Sequence, residues 1–194
     1  MRFIEKINTL KASYRSDRCG TRDQAELLGK FAETPPLAAH MIFRPMPMDV
    51  QQHLIASYKR KVPAELLQLY DVMNGANLFW ARKIMGKSGI SIPVKYLSIF
   101  GVPLTTDRMH IEPFNISIED LNRPDATPAA WLKFGNYSMP DDKTYDLFAD
   151  TDTGRVYSVE NRIPRCVVSE SWESIDEALC AVYDRIAAVY EEKQ

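Results

Sequence analysis

Cysteine is scarce in this chain: Cys19, Cys166 and Cys180 are the whole set, far apart and without a C-x-x-C pair. An odd, scattered set makes neither a disulfide framework nor a zinc site, and it suits a reducing compartment. Long apolar runs are missing as well. The stretch MRFIEKINTLKASYRSDR alternates charge with apolar residues, so it does not read as a signal peptide. Nothing approaches the ~20 apolar residues a membrane span needs. His40, His53 and His110 stand alone, without H-x-H or H-E-x-x-H spacing, and each is expected to be a packing or surface residue. No G-x-S-x-G surrounds a serine, and no cysteine has a recognisable nucleophile context. The expectation is a soluble cytoplasmic protein with no metal, no cofactor and no catalytic residue.

What the chain does contain is ordinary globular material. Its 194 residues, 45% hydrophobic and 26% charged, fit one domain or one domain with an elaborated end. The formal net charge of -2 argues against nucleic-acid binding by the molecule as a whole. Charge is nevertheless segregated. Residues 1 to 61 hold eleven Lys/Arg against six Asp/Glu, a balance of +5, and residues 112 to 153 hold three against nine, a balance of -6. Asp141, Asp142, Asp146, Asp150 and Asp152 cluster in MPDDKTYDLFADTDT. Two readings stand side by side: a solvated sheet rim whose turns use Asp, or an acidic face that captures a basic partner by electrostatic steering.

Periodicity divides the chain. Ile4, Ile7, Leu10 and Tyr14 recur at helical spacing, which predicts an amphipathic helix over 2–14. A second helix is expected in RDQAELLGKFAE, burying Leu27, Leu28 and Phe31. The four prolines of TPPLAAHMIFRPMPM argue against helix and central strand alike, leaving an extended linker. Asp49 is a candidate N-cap for a helix with Val50, Leu54, Ile55 and Tyr58 on one face. In VPAELLQLYDVMNGANLF, Pro63 opens a helix, Leu66, Leu67, Tyr70 and Met73 form its inward stripe, and Gly75 can take the left-handed conformation that ends it.

Beyond that point NLFWA, GISI, YLSIFGV, PFNISI, WLKFGN, YDLFAD and RVYSVE read as short strands, with TDTG as a tight hairpin turn. Ser174 and Glu177 form a capping box for a last helix with Ile175, Leu179, Val182, Ile186 and Val189 on one face. The predicted fold class is α+β: a mostly antiparallel sheet flanked by N-terminal helices and a C-terminal helix. Residues 1–48 are expected to be a helical elaboration and Pro-rich linker packed on a 49–194 core.

Two motifs are decoys. ARKIMGKS matches a loosened phosphate-binding pattern, yet GISIPVKY follows it where the chemistry requires a helix, so an exposed basic loop is the expected reading. DTDTG imitates the opening of a calcium loop, but the closing bidentate Glu is missing and Asp and Gly are what a turn wants anyway.

The stretch VQQHLIASYKRKVPAELLQLYDVMNGANLF, with Pro63, Leu66, Tyr70, Asn74 and Gly75, together with Phe134, Gly135, Tyr145, Asp146, Gly154, Val156 and Tyr157 of WLKFGNYSMPDDKTYDLFADTDTGRVYSV, resembles the SUKH superfamily. That group contains bacterial immunity proteins and the fungal Smi/Knr cell-wall regulators, and the likeness covers roughly residues 49 to 190. The chain departs from the family pattern at Ile55 to Tyr58, which lacks the acidic residue common before the helix break. The resemblance implies a non-enzymatic binding protein whose sheet, covered by helices on one side, leaves another surface free. The implied partner is a protein: a cognate toxin, often a nuclease, or in an adaptor role a host protein. Direct nucleic-acid or membrane contact is not expected. Candidate partner-binding residues are Asp141, Asp142, Asp150, Asp152, Tyr137 and Trp80, with Trp131 a further aromatic anchor, although each aromatic also fits a core position. A nucleotide-binding enzyme is the remaining alternative.

Overall fold

In a computed structural model of the chain, residues 1–14, 19–20, 25–29, 39–57, 61–85, 90–101, 130–139, 143–160 and 167–191 are described. Helix α1 (Arg2–Ser13) follows the expected spacing: Phe3 and Ile7 are buried, and Ile4, Leu10 and Tyr14 pack at the edge of the core. Helix α3 (Ala64–Tyr70) begins right after Pro63 and buries Leu66, Leu69 and Tyr70. Helix α4 (Ile175–Glu191) turns Ile175, Ala178, Leu179, Val182 and Ile186 inward. Its start is capped as expected: the Glu177 N–H donates to Ser174 Oγ at 3.1 Å, and the Glu177 carboxylate reaches back to the Glu173 N–H at 3.0 Å.

The helices also cap one another. Glu65 of α3 accepts from the Ile175 N–H at 2.7 Å and so satisfies the first turn of α4. Asp176 of α4 accepts from the Phe3 N–H at 2.9 Å and the Arg2 N–H at 3.1 Å, doing the same for α1. Free N–H groups at a helix start need such acceptors, and the positive end of the helix dipole favours carboxylates there. Burial alone would raise the Asp176 carboxyl, but the bonds from Phe3 and Arg2 outweigh it and hold the group below its ordinary value.

Beneath the helices the described strands form one antiparallel sheet in strictly sequential order. They are β1 (Cys19–Gly20), β2 (Ala25–Leu28), β3 (Ala39–Phe43), β4 (Ala76–Met85), β5 (Ile90–Ile99), β6 (Trp131–Ser138), β7 (Thr144–Asp150), β8 (Val156–Glu160) and β9 (Val167–Trp172). The helix face of the sheet supplies Ile42, Leu78, Leu97, Ile99, Leu132, Phe134, Leu147 and Val156 to the main core. On the opposite face, Ala25, Met41 and Phe43 make a smaller cluster with Trp80.

Several expectations are corrected. AELL is strand β2, not helix: its residues favour helices, but pairing with β3 from Ala25↔Phe43 to Leu28↔His40 overrides that preference. AHMIF is an interior strand, because Pro36 and Pro45 bracket it instead of interrupting it, and all five of its residues are buried. The sheet therefore runs across the expected boundary at residue 48. In helix α2 (Met48–Ser57), Asp49 lies inside the first turn, and Pro47 O receives the Gln51 N–H at 3.0 Å. The side facing the protein carries Val50 and buried Gln51, whose amide donates to Asp71 Oδ1 at 2.8 Å, while Ile55 is 46% exposed. Tyr58 lies outside the described residues, as do Phe31 and the PFNISI segment.

The basic segment after Trp80 is a hairpin: β4 and β5 pair from Trp80↔Lys95 to Met85↔Ile90, with Pro93 opposite Arg82. A strand therefore begins at Ile90, where a phosphate cradle would need a helix. Strand β9 has no counterpart among the expected strands.

Gly75 is left-handed (φ +87°), but it stands at the entrance to β4, five residues past the end of α3. Its carbonyl accepts from the Phe43 N–H at 3.1 Å, and Arg44 O accepts from the Asn74 N–H at 2.9 Å. A Cβ on Gly75 would lie 2.6 Å from Ile99 O, so this glycine is where β3, β4 and the end of β5 close on one another. No helix of the described residues is long and apolar enough to cross a membrane.

Candidate functional site

The acidic region resolves into a rigid turn beside an aromatic stack. Strands β7 and β8 are joined by Thr151–Arg155, and Asp150 organises the bend. Its Oδ1 accepts from the Asp152 N–H at 2.9 Å and the Thr153 N–H at 3.1 Å. Its carbonyl accepts from the Gly154 N–H at 2.8 Å, where Gly154 takes φ +78°. An aspartate bonding backbone two and three residues ahead, followed by a left-handed glycine, is the chemistry of a tight turn, which is why DTDTG occurs here. The Thr151 N–H also reaches Ala130 O at 2.6 Å, tying the turn to the start of β6.

Strand alternation then assembles the neighbouring rings. Trp131 lies across from Asp150, and Phe148 across from Tyr157. All four positions share the face of the sheet away from the helices. Trp131 and Tyr157 stack with centroids 4.5 Å apart and planes within 8°, and Phe148 lies 5.7 Å from Trp131. Phe148 is buried, whereas Trp131 and Tyr157 are half-buried, Asp150 is half-buried and Asp152 is exposed. One corner of the sheet thus presents flat apolar surface, fixed backbone and negative charge together.

Toward the middle of the same face runs a polar row. Asn77, Ser98, Asn136 and Asp146 are directly opposite one another in register across β4, β5, β6 and β7. Ser98 Oγ donates to Asn77 Oδ1 at 3.0 Å, and Lys133 Nζ pairs with Asp146 Oδ1 at 2.7 Å, both side chains largely covered. Asp146 is therefore neutralised locally and does not add to the acidity of the corner. Nor is this face the open platform that the sequence suggests: Met41, Phe43, Phe148 and Val159 on it are all buried.

The expected site residues separate. Asp150 and Asp152 share the turn. Asp141 and Asp142 lie outside the described residues. Tyr137 is fully buried on the helix side of the sheet, stacked on Tyr145 at 4.8 Å, and is not a surface anchor. Burial pushes its hydroxyl above the ordinary range. It belongs to a structural cluster in which Arg185 of α4 grips Glu170 of β9 through two bonds, 2.6 and 2.7 Å long. Trp80 is half-buried in the Met41–Phe43 cluster, three strand spacings, or about 14 Å, from β7. Trp131 does stand beside the acidic turn. Tyr157, named in the sequence only among the residues that carry the family resemblance and not as an anchor, completes the corner; the alternation of RVYSVE, with Val156 inward, places it on the opposite face.

Among the described residues, no group of three or more His, Cys, Asp or Glu is arranged to hold a metal ion. Cys180 is a buried free thiol. The corner combines aromatic plates, which offer contact area, with carboxylates, which attract cations. Comparison with protein-family models, with curated proteins and with solved structures returns no match to this chain.

Proposed function

We propose that this chain is a non-enzymatic protein-binding module, and that it docks a basic partner on the corner formed by β6, β7 and β8. One observation carries the reading: the half-buried Trp131–Tyr157 stack sits against a turn held rigid by Asp150, with Asp152 exposed beside it. Rigid aromatic residues dominate interface energetics because they bury large area with few rotatable bonds, and rim charges raise the association rate. A turn already fixed by its own hydrogen bonds loses little entropy on binding. The likeness of residues 49 to 190 to the SUKH superfamily supports an immunity-type role, in which the partner is a toxin with a basic, nucleic-acid-binding surface.

The test is co-expression with the protein encoded beside this one, followed by kinetic measurement of the complex. Replacing Asp150 by Asn and Asp152 by Lys should slow association several-fold and flatten its salt dependence. Trp131→Ala should speed dissociation, with a loss of about 2 kcal/mol if the ring is a hot spot. Binding and protection that survive both changes untouched would refute the corner as the docking surface. A stable complex with a host protein in place of a toxin would support the adaptor role instead.

A further inference from the structure

The aromatic run that opens β4 contains a feature that partner binding does not require. Phe79 has φ +54°, a backbone region that bulky side chains rarely enter. The cause is a β-bulge. Pairing with β3 shifts register between Ala39↔Trp80 and Met41↔Asn77, so two residues of β4, Leu78 and Phe79, stand opposite His40. Leu78 and Phe79 consequently both join the main core, and Trp80 passes to the other face. A bulge leaves an N–H without its ladder partner. Here the Phe79 N–H donates to His40 Nδ1 at 3.3 Å.

His40 is 2% exposed and enclosed by rings. Tyr14, at the end of α1, lies 5.6 Å away and Phe79 5.0 Å away, and Phe79 in turn meets Tyr183 of α4 at 5.1 Å. Leu28 faces it from β2. Among the described residues of these elements, Glu26 of β2 pairs with Lys11 of α1 at 3.4 Å, and Lys6 pairs with Asp184 at 2.7 Å while lying 5.7 Å from the Tyr183 ring. Burial lowers the His40 pKa to about 4. Because Nδ1 accepts, the neutral ring carries its proton on Nε2.

We infer that His40 is an acid-operated latch: its neutral imidazole clamps the Phe79 bulge, and a proton added to Nδ1 unlocks the β3–β4 junction and the adjoining end of α1. The proton comes from solvent and occupies the lone pair that the Phe79 N–H was using. Two donors then face each other with no acidic partner among the described residues, and a strained backbone loses the bond that compensated it. The start of α1 is held separately by Asp176, so release is confined to the Tyr14 end.

The test follows the intact chain by NMR from pH 7 to pH 3.5, reading the His40 ring and the amides of Phe79, residues 10–14 and Phe3. Phe79 and the end of α1 should titrate with the His40 ring and lose at least tenfold in protection against exchange, corrected for the intrinsic pH dependence. Phe3 should keep its protection over that range. His40→Asn, whose carbonyl can accept the same N–H without titrating, should abolish the transition. Phe79 protection that ignores the His40 titration, or an equal loss in His40→Asn, would overturn the latch. The wild-type titration decides by itself if the variant fails to fold, and neither result bears on partner binding.

Discussion

Replacing Gly75 by alanine separates two costs that glycines usually combine. Gly75 (φ +87°) and Gly154 (φ +78°) are both left-handed, so a side chain at either meets the same backbone penalty, about 1–2 kcal/mol. They differ in surroundings. An added Cβ at Gly154 finds nothing within 4 Å, whereas at Gly75 it lies 2.6 Å from Ile99 O and 2.9 Å from Gly101 N. Those are backbone atoms of a buried junction, which cannot swing aside as a flexible side chain would. Relieving such overlap costs a further ~1–3 kcal/mol, the range for overpacked cores. Gly154→Ala should therefore lose about 1 kcal/mol, reduced by the smaller entropy of the unfolded alanine chain. Gly75→Ala should lose about 3. Urea unfolding at constant m-value reads both, and at this chain length the difference corresponds to roughly 4–8 °C in Tm. Equal destabilisation of the two variants would refute the argument that Gly75 is selected by close approach as well as by conformation.

Two pH effects follow from groups of opposite kind. His40 has a folded pKa of about 4 against an ordinary 6.5, so between those values the unfolded chain takes up a proton that the folded chain refuses. Its contribution is complete above pH 6.5 and is lost as pH falls toward 4, by about 3 kcal/mol at most; denaturant titrations at pH 7, 5.5 and 4 on wild type and His40→Asn should show that slope only in the wild type. Asp176 is held below its ordinary carboxylate value, so its contribution is present above that value and disappears as pH drops through the lowered one. Asp176→Ala should cost about 1 kcal/mol at neutral pH, the usual value of a lost cap, and leave a flatter acid limb. An unchanged acid limb would show that the carboxylate does not cap α1.

The parts of the fold legible in the sequence are those where local preference and tertiary environment agree. Helix α1, helix α3 behind Pro63, the Ser174 cap of α4, strands β6 to β8 and the Asp150–Gly154 turn all announce themselves through periodicity or turn chemistry. Helix formers in AELL concealed β2, because no local signal reports a partner strand that arrives later in the chain. Prolines on either side of AHMIF hid β3, and the serines and glutamate of VVSESW hid β9. The site was legible in composition but not in assembly. Clustered Asp residues marked the turn, while the fate of each aromatic depended on strand facing, and the Phe79 bulge reversed that facing for Trp80. Tyr137 looked like an anchor and is core because β6 turns it toward the helices.

The central claim, that the β6–β8 corner is the contact surface for a basic protein, is tested most directly by photo-crosslinking in cells from a reactive residue installed at Tyr157, with the same residue at Gln52 on exposed α2 as the control. The account predicts one dominant adduct from position 157, with a basic protein, weakened by salt and by Asp152→Lys, and none from position 52. Adducts of equal pattern from both positions, or none from 157 in cells that make the partner, would contradict it.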